Sequence, residues 1–238
     1  MDEVTPHLLV LDDDDGIRAS LTLAMEDGGY TVTGAASAEE ALALVAAGHR
    51  PDVMIVDLML GGIDGYSFIR RVRPLSGAPV IVVSARQDKG DIIAALEVGA
   101  DDYVTKPFDV DELTARLGAL RRRFAGTGAA PQTVLLDAGG GGSPRLVLDA
   151  DGGQVRRGDD VLHLTVTEFR LLCELAASPG RVLSRTLLLE RVWDRGFFGD
   201  ERIVDVHVRR LRTKVERDPS APRLISTVRG LGYRLDPC

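Results

Sequence analysis

The sequence predicts an α/β domain, a doubly wound five-stranded parallel sheet, followed by a smaller α+β domain. Three observations carry this. Short apolar runs alternate with amphipathic segments through the first half, the charge balance changes between the halves, and the second half places short strands around three helical patterns.

The apolar runs are Leu8–Leu11, Thr31–Thr33, Val53–Val56, Val80–Val83 and a weaker one at Tyr103–Val104. Amphipathic segments follow them near 17–28, 38–48, 65–73, 88–98 and 109–123. Runs that are continuously apolar, rather than alternating, belong to strands buried on both faces. Helices between successive strands supply the cover, so the strands run parallel. Arg121–Arg123 close the last helix with cations suited to its C-terminal dipole. Ala125–Thr133, small and polar with Gly and Pro, reads as a linker. The expected division is therefore 1–124, a linker at 125–133, and a second domain at 134–238.

A chain of 238 residues, 45% hydrophobic and 27% charged, can bury two ordinary cores. Its net charge of −7 argues against a general nucleic-acid binder, but the charge is uneven. Residues 1–124 carry 12 Lys/Arg against 21 Asp/Glu, and residues 125–238 carry 17 against 15. An acidic module is thus joined to one with different partners. No apolar run approaches the ~20 residues that span a bilayer. Met1–His7 lacks the basic and apolar regions of a signal peptide, so a cytoplasmic protein is expected. Cys173 and Cys238 read as free thiols in a reducing compartment.

In the second half, strand-like pieces at Val134–Leu136, Leu146–Leu148, Gln154–Arg156 and Val161–Leu164 precede the helices. Thr165-Val166-Thr167-Glu168 is a capping box opening a helix through Ala177, which Pro179-Gly180 ends. Ser184 can cap a second helix running to Trp193, and a third runs from about Asp200 to Glu216. Leu224–Val228, Arg229-Gly230-Leu231-Gly232 and Tyr233–Leu235 read as a hairpin with a Gly-rich turn. Strands, three helices and a terminal hairpin describe a winged helix-turn-helix.

Ligands of open α/β sheets sit beyond the carboxyl ends of the strands. Those ends carry Asp12-Asp13-Asp14-Asp15, Asp57, Ser84 and, after the fifth strand, Lys106-Pro107. Clustered carboxylates repel one another unless a cation intervenes, and oxygen ligands with room for water suit Mg²⁺. An ionised Asp beside such a cation can accept a phosphoryl group. The metal and Lys106 would offset charge on the transferred group, and Ser84 could donate a hydrogen bond to it.

On the third helix of the second half, Val204, Val208, Leu211 and Val215 share one stripe at 100° per residue. Arg202, Arg209, Arg210 and Arg212 project elsewhere. An apolar stripe with an arginine face suits the DNA major groove, and Arg229 at the hairpin tip suits the minor groove or backbone. His207 is expected at the edge of the core rather than on a metal.

Leu8-Leu9-Val10-Leu11-Asp12-Asp13, Val56-Asp57-Leu58-Met59-Leu60, Val83-Ser84-Ala85-Arg86 and Gly99-Ala100-Asp101-Asp102-Tyr103-Val104-Thr105-Lys106-Pro107-Phe108 resemble the flavodoxin-like receiver domain of two-component response regulators. With Arg202–Arg212 as a recognition helix and Thr227–Gly230 as a wing, the whole chain resembles the OmpR/PhoB-type subfamily. The resemblance implies Asp57 as the phosphoacceptor, with Asp12, Asp13 and the backbone carbonyl of Met59 organising Mg²⁺. It implies Lys106 on the phosphoryl group and Ser84 and Tyr103 as a switch pair, with a cis bond before Pro107. It also implies phosphorylation by a sensor histidine kinase and a homodimer formed through a face including Ile92, Asp102, Glu112 and Arg116. In the DNA-binding half, Arg210 and Arg212 are expected to read bases. Trp193, Arg202, Thr227 and Arg229 are expected on phosphates or in the minor groove, with Arg209 on the same face. The segment Asp194–Gly199, with Phe197-Phe198, is expected to meet RNA polymerase.

The sequence departs from the family pattern where Gly61 replaces a usual Pro, where Ile92 and Gly118 replace usual basic residues, and where Ile203 replaces a usual Thr. Two other readings are weighed. A haloacid-dehalogenase-type phosphatase shares Asp12-x-Asp14, but its acidic pair follows the Lys, whereas Asp101-Asp102 precede Lys106. A regulator working without phosphorylation is the other; Gly61, Ile92 and Gly118 leave it open, and the intact Asp13, Asp57 and Lys106 do not favour it.

Overall fold

The computed structural model describes residues 5–122, 133–137, 144–193 and 201–237. The chain divides into two compact units, Met1–Arg121 and Arg122–Cys238.

The first unit holds strands β1 (His7–Leu11), β2 (Thr31–Ala35), β3 (Val53–Val56), β4 (Val80–Ser84) and β5 (Asp102–Thr105). Between and after them run α1 (Asp15–Asp27), α2 (Ala38–Ala46), α3 (Gly65–Val72), α4 (Lys89–Val98) and α5 (Val110–Arg122). The sheet order is β2-β1-β3-β4-β5, and every pairing is parallel. The order reverses beside β1, so the crevice between β1 and β3 opens at their carboxyl ends. Alternation sorts the strand residues by face. Leu8, Val10, Ile55, Ile81 and Val83 form one core with Leu21 and Met25 of α1 and Leu113 and Leu117 of α5. Leu9, Leu11, Met54, Val56 and Val82 point to the other face and are buried too, which is why these strands read as unbroken apolar runs.

Polar caps set where the helices begin. Asp14, Ser37 and Asp64 accept backbone N–H bonds at the starts of α1, α2 and α3. The helix expected at 17–28 therefore begins at Asp15, while the one expected at 88–98 begins at Lys89 without a side-chain cap bond from Asp88. The Lys106–Pro107 bond is cis.

The second unit opens with an antiparallel sheet of β6 (Thr133–Asp137), β7 (Leu146–Asp149), β8 (Gln154–Arg157) and β9 (Asp160–Leu162). Thr133, expected in the linker, already pairs with Asp149. Next come α6 (Val166–Ala176), β10 (Val182–Leu183), α7 (Arg185–Trp193), α8 (Arg202–Val215), β11 (Ile225–Val228) and β12 (Gly232–Leu235). The capping box on α6 is present in both directions, Thr165 to Glu168 and back. Strand β10 is absent from the sequence reading because two residues carry no periodicity; it exists through its pairing with β12. The sheet β10-β12-β11 forms the wing. Gly232 must be glycine there: its φ is 143°, and a Cβ would stand 2.0 Å from the Leu183 carbonyl oxygen.

Candidate functional site

The strand ends of the first unit bring the expected acidic residues together. Asp12 follows β1 and Asp57 follows β3; they are 2% and 6% exposed. The Asp57 amide donates to the Leu11 carbonyl at 2.8 Å, continuing the sheet ladder one residue past β3 and fixing the two carboxylates side by side. Lys106 closes the cluster from the far side. Its Nζ donates to Asp57 Oδ2 at 2.6 Å and to Asp12 Oδ2 at 2.9 Å. Burial alone would lower the Lys106 ammonium, but the bonds to Asp57 and Asp12 outweigh it and hold the group above its ordinary value.

The four consecutive aspartates divide their work. Asp12 is in the cluster, while Asp13 is exposed and accepts the Gly61 amide at 3.1 Å. Asp14 is the N-cap of α1, accepting from Ile17, and Asp15 pairs with Arg18 on the same helix. Met59 is exposed, and its amide donates to Asp57 Oδ1 at 2.9 Å. Gly65, which the sequence reading passed over, lets α3 start against this loop. A Cβ there would lie 2.2 Å from the Asp57 carbonyl oxygen.

Ser84 and Tyr103 both attach to Arg86 on the loop between β4 and α4. Ser84 is fully buried, and its Oγ accepts the Arg86 amide at 3.4 Å; the Tyr103 hydroxyl donates to the Arg86 carbonyl at 2.7 Å. On the α4–β5–α5 side, Arg116 spans Asp102, at 2.9 Å, and Glu112, at 2.6 Å, within one chain. Asp102 is 3% exposed, so its carboxylate is spent inside the unit rather than presented on a surface. Ile92 is half-buried.

In the second unit, the outward stripe of α8 is Arg202, Asp205, Arg209 and Thr213, with Arg202, Arg209 and Thr213 exposed. The two arginines expected to read bases are placed otherwise. Arg210 Nη2 lies 2.9 Å from Glu168 Oε1, a charge contact without hydrogen-bond alignment, and its side chain is 13% exposed. Arg212 donates to the Ile225 carbonyl through Nε and Nη2, and to Thr227 Oγ1 at 2.8 Å. It lies over the Tyr233 ring, as does Arg185, with guanidinium-to-centroid distances of 5.5 and 5.0 Å. Tyr233 in turn donates to Asp205 at 2.6 Å, and burial and that bond push its hydroxyl up to about 12. Helix α8 is thereby stitched to the wing.

Trp193, expected on DNA, is 4% exposed and packs 5.2 Å from the His207 ring, because the end of α7 turns its indole into the core. His207 is fully buried rather than at the core edge. Ile203 is buried as well. Thr227 and Arg229 are exposed on the wing. Residues 194–199, with Phe197 and Phe198, and Cys238 lie outside the described residues. Burial raises the Cys173 thiol to about 12, so it holds no thiolate at neutral pH.

Sequence reasoning missed Glu168 as more than a cap. It is fully buried, accepts Lys214 Nζ at 2.6 Å, and stays ionised; burial favours its neutral form, but Arg210 and Lys214 outweigh it and hold the carboxyl below the usual range. The i, i+4 pair Arg210 and Lys214 was the available signal.

A doubly wound domain with a lysine-closed carboxylate cluster, followed by a winged helix-turn-helix, defines a signal-receiving DNA-binding regulator. The chain belongs to the two-component response regulators of the OmpR/PhoB type. The response regulator receiver domain family matches residues 8–118, and the family described as transcriptional regulatory protein, C terminal, matches 158–235. The transcriptional regulatory protein CseB of Streptomyces coelicolor is 48% identical, over 96% of this chain and 97% of its own length. AfsQ1 of the same species is 47% identical over 98% and 99%. The DNA-binding response regulator MtrA of Mycolicibacterium smegmatis is 39% identical over the full length of both. A solved RitR mutant is similar with a TM-score of 0.75 and 26% identity, covering 97% of this chain and 99% of that one.

Proposed function

We propose that a sensor histidine kinase phosphorylates Asp57 in an Mg²⁺-dependent step, and that this controls homodimerisation and sequence-specific DNA binding to regulate transcription. The single observation that carries the reading is the short contact between Asp57 Oδ2 and Lys106 Nζ, 2.6 Å, at a nearly buried strand end. An Asp57 oxygen forms the new P–O bond while the P–N bond to the donor imidazole breaks, and the leaving nitrogen takes a proton. Lys106 sits where it can pair with the arriving oxygens. The chain thus catalyses only its own phosphoryl transfer.

Receiver domains generally bind Mg²⁺ at this site, and the donor set here is all oxygen: Asp12, Asp13, Asp57 and the Met59 carbonyl. Among the described residues no group of three or more His, Cys, Asp or Glu forms a metal cage by itself. Mg²⁺ typically uses one or two carboxylates and leaves positions to water and phosphate. When bound, the ion would supply positive charge to the phosphoryl oxygens. Ser84 and Tyr103 report occupancy through their common partner Arg86, which leads into α4; the dimer is assigned to the face with exposed Glu112 and half-buried Ile92, which the internal Arg116–Asp102 pair braces. Arg202, Arg209, Thr227 and Arg229 are the residues offered to DNA, and residues 194–199 to RNA polymerase. No described helix is long and apolar enough to cross a membrane.

The test is incubation of the full chain with acetyl phosphate and Mg²⁺, read by intact mass and by DNA binding together. Wild type should gain one phosphoryl group and bind its selected DNA more tightly, and Asp57→Asn should do neither. Full stimulation of the Asp57→Asn variant would remove Asp57 from the mechanism.

A further inference from the structure

The sequence favours Arg210 and Arg212 over Arg209 as base readers, but their surroundings in the fold separate them differently. Arg210 and Lys214, one turn apart, both turn toward α6 and converge on Glu168. Glu168 is fully buried, and its Oε2, the oxygen that takes Lys214, also accepts the Thr165 amide at 2.8 Å. A carboxylate in that position has to be compensated, since stripping one partner from a buried charge leaves it uncancelled. Withdrawing Arg210 to a DNA base would remove one of the two cations on Glu168 and leave Lys214 alone to compensate it. Arg209 lies on the exposed stripe with Arg202 and Thr213.

We propose that Arg210 is a positioning residue, locked to Glu168 so that α8 keeps its rotation against α6, and that Arg209 is the arginine of this pair that reads sequence. The proposal deepens the DNA-binding reading above and rests on it. The lock fixes the azimuth of α8: with Arg210 and Lys214 facing α6, the stripe 202, 205, 209 and 213 faces outward. One internal carboxylate offsets one of the two positive charges, so Arg210 and Lys214 together add a single net charge to phosphate attraction.

The experiment uses the full chain, treated with acetyl phosphate and Mg²⁺, and a pool of random-sequence duplexes enriched on wild type. Arg209→Ala should lower affinity for the enriched duplex by about 10- to 100-fold relative to a scrambled one, with melting unchanged. Arg210→Met should melt roughly 5 °C lower, because Glu168 keeps only Lys214 of its two cations. That variant alone cannot separate misfolding from lost contact. The double variant Glu168→Gln/Arg210→Met does so: Gln keeps the capping box and removes the uncompensated charge. It should recover most of the melting temperature and bind the enriched duplex within about threefold of wild type, a difference below 1 kcal/mol. A double variant that recovers its melting temperature but loses preference for the enriched duplex makes Arg210 the reader and overturns the proposal. So does a double variant as unstable as Arg210→Met, or an Arg209→Ala variant with undiminished preference. If wild type enriches no sequence, the DNA-binding reading itself fails, and this proposal with it.

Discussion

Lys106→Ala removes the only cation that the described contacts place on both Asp12 and Asp57. Those carboxylates are 2% and 6% exposed and accept Lys106 at 2.9 and 2.6 Å. Breaking a buried ion pair by deleting one partner costs about 3–5 kcal/mol. The Lys106 side chain is 16% exposed, so some water already reaches it. We therefore expect about 2–4 kcal/mol, which in a domain of this size is roughly a 10 °C loss in melting temperature. The sign with pH follows from Lys106 being held above its ordinary 10.5: its contribution is present below that value and lost as pH rises through the folded one. The assay is thermal melting of the full chain at pH 7 with chelator, with hydrogen exchange locating the loss in β1 and β3. Adding Mg²⁺ should narrow the gap between variant and wild type, since a divalent ion can compensate the same carboxylates. Phosphoryl uptake should fall by about 10²-fold, the usual effect of removing one oxyanion partner. A variant that melts within about 2 °C of wild type in chelator, where a loss of about 10 °C is expected, refutes the reasoning. So does Mg²⁺ stabilising both proteins equally.

Gly65→Ala should destabilise the receiver by about 2–3 kcal/mol and abolish phosphoryl uptake, because its Cβ would press on backbone that cannot yield. Gly61→Ala is the control in the same melting and uptake measurements: its Cβ would lie 4.0 Å from Asp13, an ordinary contact, and both should stay near wild type. Acid titration of the winged-helix unit should show stability present above about pH 4.5, the ordinary value for Glu168, and lost as pH falls through its lower folded value. Circular dichroism against pH checks this, and Glu168→Gln should flatten that limb.

The reach of the sequence can be judged residue by residue. Leu8–Leu11 and Val53–Val56 announced a parallel sheet because strands buried on both faces need no polar residue, and topology then put Asp12 and Asp57 at neighbouring ends. Gly65 was not legible, since its requirement comes from the Asp57 carbonyl lying against it and not from local conformation. The burial of Trp193 and the contact of Arg210 with Glu168 were not legible for a related reason. A helical wheel orders residues around an axis but says nothing of which neighbour meets them.

The sequence by itself therefore determined the elements other than β10, the two-unit organisation and the identity of the strand-end chemistry, all of which rest on local periodicity, capping and chain order. Only the tertiary structure decided how the charges pair. Lys106 meets residues 94 and 49 positions away, and Lys214 meets Glu168 across 46. An ion pair's worth depends on burial and distance, both created when the elements pack. That packing, and not composition, separates Arg210, set against a buried carboxylate, from Arg209 on the exposed stripe.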